Sequence, residues 1–585
     1  MQTRKYNALR IARPALGLAL PFSLSFPAGF ASSIALGLTL SFAAVPPSAN
    51  ASGHASHATD NISISGASGS GVSARAQQTS LEASTKAAVE QLHHFQYDDA
   101  NAIYRKILNE RAPEPYRTRA YWGLLMSLNY PLWHEQKTGE ARVILQQYES
   151  ERIVPLAGRD NDLMQAVKHL YDPSEENKAR RDNAYVESME AIYRADPRND
   201  DTASFFALAL LAQSSTLDGD ARMKGRAAAR QILEHVYDRN PDHPGTLHYL
   251  IHAFDGGIAS THYGLGAATR YAKFGTSAHA LHMPSHIFMP LGMWPEIIAG
   301  ETKAWDFGKA RAARIQKAQS LPYPSYDIHA LHSLQWLHYA YLQTGNIGTA
   351  ESLLNEMVVL HQADPNAMAT WYLARMYATH LVETGATNPD HKASERIARQ
   401  LANLNMDDIE LSSAASRLYA LGTRAAYKHG HAGPPTGQID QAVRQRYLKE
   451  IIVQLERRIH STNVMLAEVN RPQVSYYTGA DKKSVAAADV MLLQLKGLSE
   501  ALAGNKASAG VKFVAAAQAE QALPPSYGPP VPVKPASELL GEYYLLTDTS
   551  KSQSAFEAAL RRNANRLIAT QGVNGSIDRS TIAIE

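Results

Sequence analysis

From Leu81 onward the apolar residues recur at helical spacing nearly everywhere, and β-branched runs of period two are absent. That periodicity predicts an all-α chain. Ala-rich, Leu-rich and Tyr-containing stretches alternate with short stops: Asp196-Pro197-Arg198-Asn199, Asn240-Pro241-Asp242-His243 and Asp364-Pro365-Asn366. Proline cannot extend the helical hydrogen-bond ladder, so each stop marks a boundary. The stretches between stops read as helix-turn-helix pairs. Leu334 to Leu360 is the clearest: one helix ends at Gly345, a second begins near Ile347, and the small Ala350 allows close packing. Ile287 to Trp305 turns at Gly292 and Val490 to Gln521 at Gly504-Asn505. Ala100 to Leu128 and Glu538 to Leu560 are weaker matches. About six to nine such pairs, each burying a face on its neighbours, would make an α-solenoid.

The array is expected over residues 81–523, with a histidine-rich centre at 235–338. Residues 1–51 read as a signal peptide. Arg4, Lys5, Arg10 and Arg13 precede an apolar stretch from Ala28 to Val45, and Ala49-Asn50-Ala51 supplies a small-x-small cleavage pattern. An uncleaved anchor is the alternative, because about eighteen apolar residues can just span a bilayer. Residues 52–80, rich in Ser, Gly and Ala, lack the apolar side chains to offset ordering entropy and read as a disordered linker. Residues 524–535 are half proline and must be extended, either as a surface linker or as a strap in the solenoid's groove anchored by Tyr527. Residues 536–585 complete the chain as a helix pair and tail. The formal charge of +2 with no basic stripe argues against nucleic acid, and the absence of cysteine removes disulfides and thiolate ligands. A periplasmic or secreted location follows from the leader, with membrane contact only through that segment if it is retained.

Eleven of the twenty-three histidines lie between His235 and His338. Packing gives no reason to concentrate imidazole there. The large, small and aromatic positions of the helix pairs, with Gly at the turn, resemble the tetratricopeptide repeat (TPR), although the intervals often exceed 34 residues. Several segments resemble exported bacterial TPR proteins of unestablished activity. They are Ala120 to Asn129, His243-Pro244-Gly245 with His248 to Ala253, Ala280 to Phe288, Leu291-Gly292-Met293-Trp294, and Gly528 to Pro532. The two histidine segments carry most of that specificity. The resemblance implies an all-helical TPR fold and brings no substrate. Tyr130 stands where that pattern usually offers a histidine, and Asp548 near where it has a Gly.

His248 and His252 are four apart, so a helix puts both on one face, with Asp255 able to join them or to cap the helix. His279, His282 and His286 share a face too, and Pro284 forces that helix to kink or restart. His329 and His332 repeat the arrangement, with Trp336 and Tyr339 beyond them and Ser325 as an expected N-cap. If these are first helices of successive pairs, the clusters line a concave groove about 8–10 Å apart. Converging imidazoles suit a transition metal, Zn, Cu or Fe, better than Ca or Mg. The expected ligands are His248, His252, His282, His286 and His329, with Tyr249, Asp255, His279, His332 and Trp336 lining the groove. The commoner alternative is packing: imidazoles bonding interhelical carbonyls and stacking on Tyr249, Tyr263, Trp336 and Tyr339. His93-His94 and His429-Gly430-His431 read as incidental surface residues.

No phosphate loop, dinucleotide fingerprint, GxSxG elbow or HExxH is present. The leading functional expectation is an exported module that binds a protein or peptide partner of the cell envelope, or another ligand, in the groove. The alternative is a metal-dependent enzyme that uses the histidines to activate water or oxygen. A structural or assembly role at the envelope is the third.

Overall fold

The stops in the sequence are also starts. Asn199 accepts a hydrogen bond from Thr202 N at 2.9 Å and caps the Asp200–Ser215 helix. His243 accepts from Thr246 N at 3.1 Å and caps Pro244–Phe254, with Pro244 in the first turn. Asn366 does the same for Ala367–Thr384. Each proline ends one helix, and a residue one or two positions after it satisfies a free N–H of the next, a contribution of about 1 kcal/mol per cap.

The computed structural model describes residues 74–577 except 152–156, 218, 256–257, 276, 386–390, 427–439, 469–480 and 527. The expected leader, most of the linker, Tyr527, His429-Gly430-His431 and the end of the tail lie outside the described residues. These residues form an all-α structure, with one short antiparallel ladder pairing Asn129 with Gln136 and Tyr130 with Glu135. The first helix spans Ala74–His93, so helix already occupies the last part of the stretch expected to be linker. No helix among the described residues is long and apolar enough to cross a membrane.

Two of the expected helix pairs are found with their turns at the expected glycines. Ile328–Gln343 and Ile347–Ala363 turn at Gly345, and Lys482–Leu502 and Lys506–Gln521 turn at Gly504. Ala350 is fully buried between its two helices. Helices pack on their sequence neighbours and on the next but one: Ile328–Gln343 on Ala367–Thr384, that helix on Leu411–Ala426, and Leu411–Ala426 on Lys482–Leu502. One of the smaller expectations needs correcting. The helix that carries His329 is capped by Asp327, which accepts from Ala330 N at 2.9 Å, and not by Ser325. The His279–His286 run restarts at Pro284 as its sequence requires, giving two short helices, Ala278–His282 and Ser285–Phe288.

Both ends of the array return to its middle. On the N-terminal side, His94 Nδ1 lies 2.7 Å from the Tyr271 hydroxyl and His93 Nδ1 3.1 Å from that of Tyr249. Gly245 makes this approach possible, because a Cβ there would sit 2.2 Å from His93 Nδ1. On the C-terminal side, Trp294 Nε1 donates to Asn565 O at 2.9 Å. The fully buried Arg566 bonds Glu538, Glu383 and the Tyr339 hydroxyl. The proline-rich strap is pinned by Lys534, which is buried against Glu538 at 2.9 Å and Glu542 at 2.6 Å. Gly528 of the strap lies on the Trp336 indole, where a Cβ would come within 2.6 Å. The histidine-rich centre is therefore walled in, not set along an open groove.

Candidate metal centre

The centre consists of two groups of three imidazoles. His248, His252 and His279 form one, and His282, His286 and His332 the other; within each, one ring nitrogen per residue lies within 4.8 Å of the others. Each group is built alike. Each has a pair spaced four residues apart: His248 and His252 on the single helix Pro244–Phe254, His282 and His286 on the two short helices either side of Pro284. The third ring comes from a neighbouring element: His279 from Ala278–His282, His332 from Ile328–Gln343. One aromatic side chain caps each group. Phe95 lies 4.4 Å from His248, 5.8 Å from His252 and 5.5 Å from His279 between ring centres. Trp336 lies 4.7 Å from His282, 4.9 Å from His286 and 5.2 Å from His332.

The ring orientations carry the chemistry. His248 Nδ1 lies 2.6 Å from the backbone oxygen of His93, which can only accept, so that nitrogen carries the proton. His248 Nε2 therefore points inward as a lone pair. It meets His252 Nε2 at 3.2 Å and His279 Nε2 at 3.1 Å. One lone pair takes one good N–H donor, not two. His252 is a poor donor here as well, because protonating Nε2 would turn a bare Nδ1 toward the Asp255 carboxylate 3.5 Å away. A cation at the meeting point removes the conflict: three nitrogens bound tetrahedrally at about 2.0–2.1 Å stand ~3.3 Å apart. In the second group His282 Nε2 and His286 Nε2 are 3.0 Å apart, and His282 Nδ1 lies 2.8 Å from the buried Glu301 carboxyl. His332 Nδ1 is 3.3 Å from the Tyr372 hydroxyl. Where these outer atoms accept from Nδ1, they leave the inner Nε2 bare, the tautomer that a ligating histidine needs.

Burial and the neighbouring imidazoles push His248, His279, His286 and His332 well below the ordinary histidine range, and burial brings His282 down to about 3. Those five rings are thus neutral, the state in which imidazole ligates. Burial alone would raise Asp255, but His252, His286 and Arg226 hold it low. It remains a carboxylate beside both groups.

A third cluster, His93, Asp201 and His243, has comparable distances but different proton logic. His243 Nδ1 is occupied as the helix cap, so its Nε2 carries the proton and donates to Asp201 Oδ1 at 3.1 Å. His93 Nε2 lies 2.9 Å from the same oxygen. Every group there has a partner without a cation. The cluster lines a cleft of about 680 Å³ together with Glu90, Arg119 and Trp122.

Several expectations change. His248, His252, His282 and His286 do not converge on one point; they divide between two. His279 and His332, expected in the groove lining, take the third positions. His329 belongs to neither trio, its ring centre lying 4.6 Å from that of His279. Tyr249 bonds His93 and does not line a groove. The Tyr130 ring meets that of Tyr97 edge-on, with the ring centres 4.8 Å apart. His93 and His94 are not surface residues, being 1% and 0% exposed, and the backbone of His93 orients His248. Glu301 was missed, although its position was readable. It falls on the buried stripe of the Trp294–Gln319 helix with Trp294, Ile297, Ala304, Trp305 and Gly308, where a lone acid needs a reason.

No family model and no curated protein matches the chain.

Proposed function

We propose that this chain is an exported, TPR-like α-solenoid whose functional site is a buried histidine-ligated transition-metal centre. The observation that carries the reading is the meeting of three imidazole nitrogens around His248 Nε2, at 3.1 and 3.2 Å, with the proton of His248 turned outward to His93 O. Nitrogen-only donors favour Zn or Cu over oxygen-preferring Mg or Ca. Three protein ligands per ion leave a coordination position for an exogenous molecule, the pattern of catalytic sites; closed structural sites use four. We therefore favour the enzyme reading, activation of water or oxygen, over peptide capture on an open groove. When bound, the metal would supply Lewis acidity or electrons. The chain's own part is to keep the rings neutral, to orient them through His93 O, Glu301 and Asp255, and to exclude water with Phe95 and Trp336.

The solenoid assignment is supported by next-but-one helix packing and by Gly-centred turns at Gly345 and Gly504. Export is supported by the basic-then-apolar leader ending in Ala49-Asn50-Ala51. A second reading, binding of a small ligand, is favoured by the cleft over His93, Asp201 and His243. The deciding experiment is elemental analysis of the chain purified from its native compartment. The expected result is tightly held Zn or Cu that is lost in His248→Ala. A metal-free chain that also takes up no Zn, Cu or Fe in solution would contradict the proposal.

A further inference from the structure

Resting on that reading, we infer that the two trios hold two ions as a single dinuclear centre, with Asp255 shared between them. The two halves repeat each other: an i, i+4 histidine pair, a third ring from the adjacent element, one capping aromatic, and one outward acceptor for the inner ring, His93 O in the first and Glu301 in the second. Two unrelated sites in one core would have no reason to share that plan.

They also share a carboxylate. Asp255 Oδ2 lies 3.5 Å from His252 Nδ1 and 3.7 Å from His286 Nδ1, one ring from each trio. Those two ring centres are 6.2 Å apart. The third corner of Asp255 is held by Arg226 Nη2, 3.2 Å from Oδ1, so the carboxylate is fixed in place between the halves. A charge that faces both outer rings orients both and offsets part of the charge of both ions. His286 Nδ1 is buried and makes no hydrogen bond, which leaves Asp255 as the acid it faces across 3.7 Å. Ligation through His286 Nε2 would fix the proton on Nδ1, the nitrogen that faces Asp255, and strengthen the attraction between them.

The donor set narrows the class of ion. Six imidazoles with only Asp255 and Glu301 as nearby acids, the former already engaged by Arg226, compensate little positive charge. Carboxylate-rich pairs of hard divalent ions are excluded on that ground, and imidazole-preferring ions, copper or zinc, remain. A pair of such ions with one exogenous position each would let one small molecule contact both.

The test is titration of the purified, metal-stripped full chain with Zn(II) alone and, separately, with Cu(I) alone. The expected result is two equivalents per chain with at least one of the two metals, and that arm identifies the ion. His252→Gln and His286→Gln should each leave one equivalent, and Asp255→Asn should weaken both bound ions about 10–100-fold. Circular dichroism of each variant separates ligand loss from failure to fold, and a variant that fails is replaced by His279→Gln or His332→Gln from the same trio. Proximity is read from the Cu(II)-loaded chain by electron paramagnetic resonance. A half-field transition or missing spin intensity supports the pair, while two full, uncoupled spins would overturn it. One equivalent per chain would overturn the pairing and leave the metal reading intact. No uptake of either metal would overturn both.

Discussion

Glu301→Gln separates a metal-centre role from a packing role, because the two make opposite demands on one buried side chain. Glu301 is fully buried on the Trp294–Gln319 helix, and its Oε1 stands 2.8 Å from His282 Nδ1. Glutamine keeps the shape and an acceptor oxygen, so the hydrogen bond to the ring survives. What disappears is the negative charge that strengthens His282 as a donor to a cation. Outer partners of this kind are worth about 10–100-fold in metal affinity, or roughly 1.4–2.7 kcal/mol. Burial pushes the Glu301 carboxyl well above its ordinary range, so in the metal-free chain it is already inclined to be neutral. Replacing a neutral acid by a neutral amide should then cost the metal-free fold less than about 1.5 kcal/mol, the net worth of one buried hydrogen bond. The assay is paired: thermal unfolding of the stripped variant, and metal affinity by competition against a chelator of known strength. The reasoning requires a large loss in the second and a small one in the first. Unchanged affinity, or a loss of fold stability large enough to account for the lost affinity, would refute it.

Four other outcomes follow from the same structure. Arg566→Ala removes the buried cation shared by Glu383 and Glu538, leaving Glu383 without an ion partner while Lys534 still holds Glu538, and should destabilise the chain by about 3–5 kcal/mol in denaturant unfolding. Gly528→Ala puts a Cβ 2.6 Å from the Trp336 indole, so it should cost about 1–3 kcal/mol and speed proteolysis within the strap. Gly245→Ala forces His93 aside and should lower metal affinity in the same competition assay, because His93 O orients His248. Burial brings His94 and His380 down to about 4, below the ordinary 6.5. The unfolded chain therefore takes up protons first. Their contribution to the stability of the stripped chain is complete above about pH 6.5 and is lost as pH falls toward 4, at about 1.4 kcal/mol per pH unit for each ring. Unfolding free energies measured from pH 7 to pH 4 check the sign.

The helices were legible because period and punctuation agree: Asn199 and Asn366 are both the end of a proline stop and the cap of the next helix. His248 with His252, and His282 with His286, were legible because four residues is about one helical turn. The third member of each trio was not. Spacing along one helix carries no information about which neighbour packs beside it, and that packing chose His279 over His329 and brought His332 to the second group. The role of His93 was less accessible still. It acts through its backbone oxygen, across 155 residues of sequence, and a backbone acceptor leaves no mark on residue type. Its partner Asp201 and the cap residue His243 look like metal ligands by distance alone; only the occupied Nδ1 of His243 separates them from the two trios. Ser325 and Asp327 are both good caps, and the extended backbone at Asp327, not residue preference, decided between them.

The central claim is that each trio gathers its nitrogens around an ion. Anomalous diffraction from crystals of the Zn- or Cu-loaded chain, recorded on both sides of that metal's absorption edge, tests it most directly. The account predicts one peak about 2 Å from the Nε2 atoms of His248, His252 and His279 and a second at the same distance from those of His282, His286 and His332. Anomalous density confined to other histidines, or none in the core of a chain that still diffracts well, would contradict it.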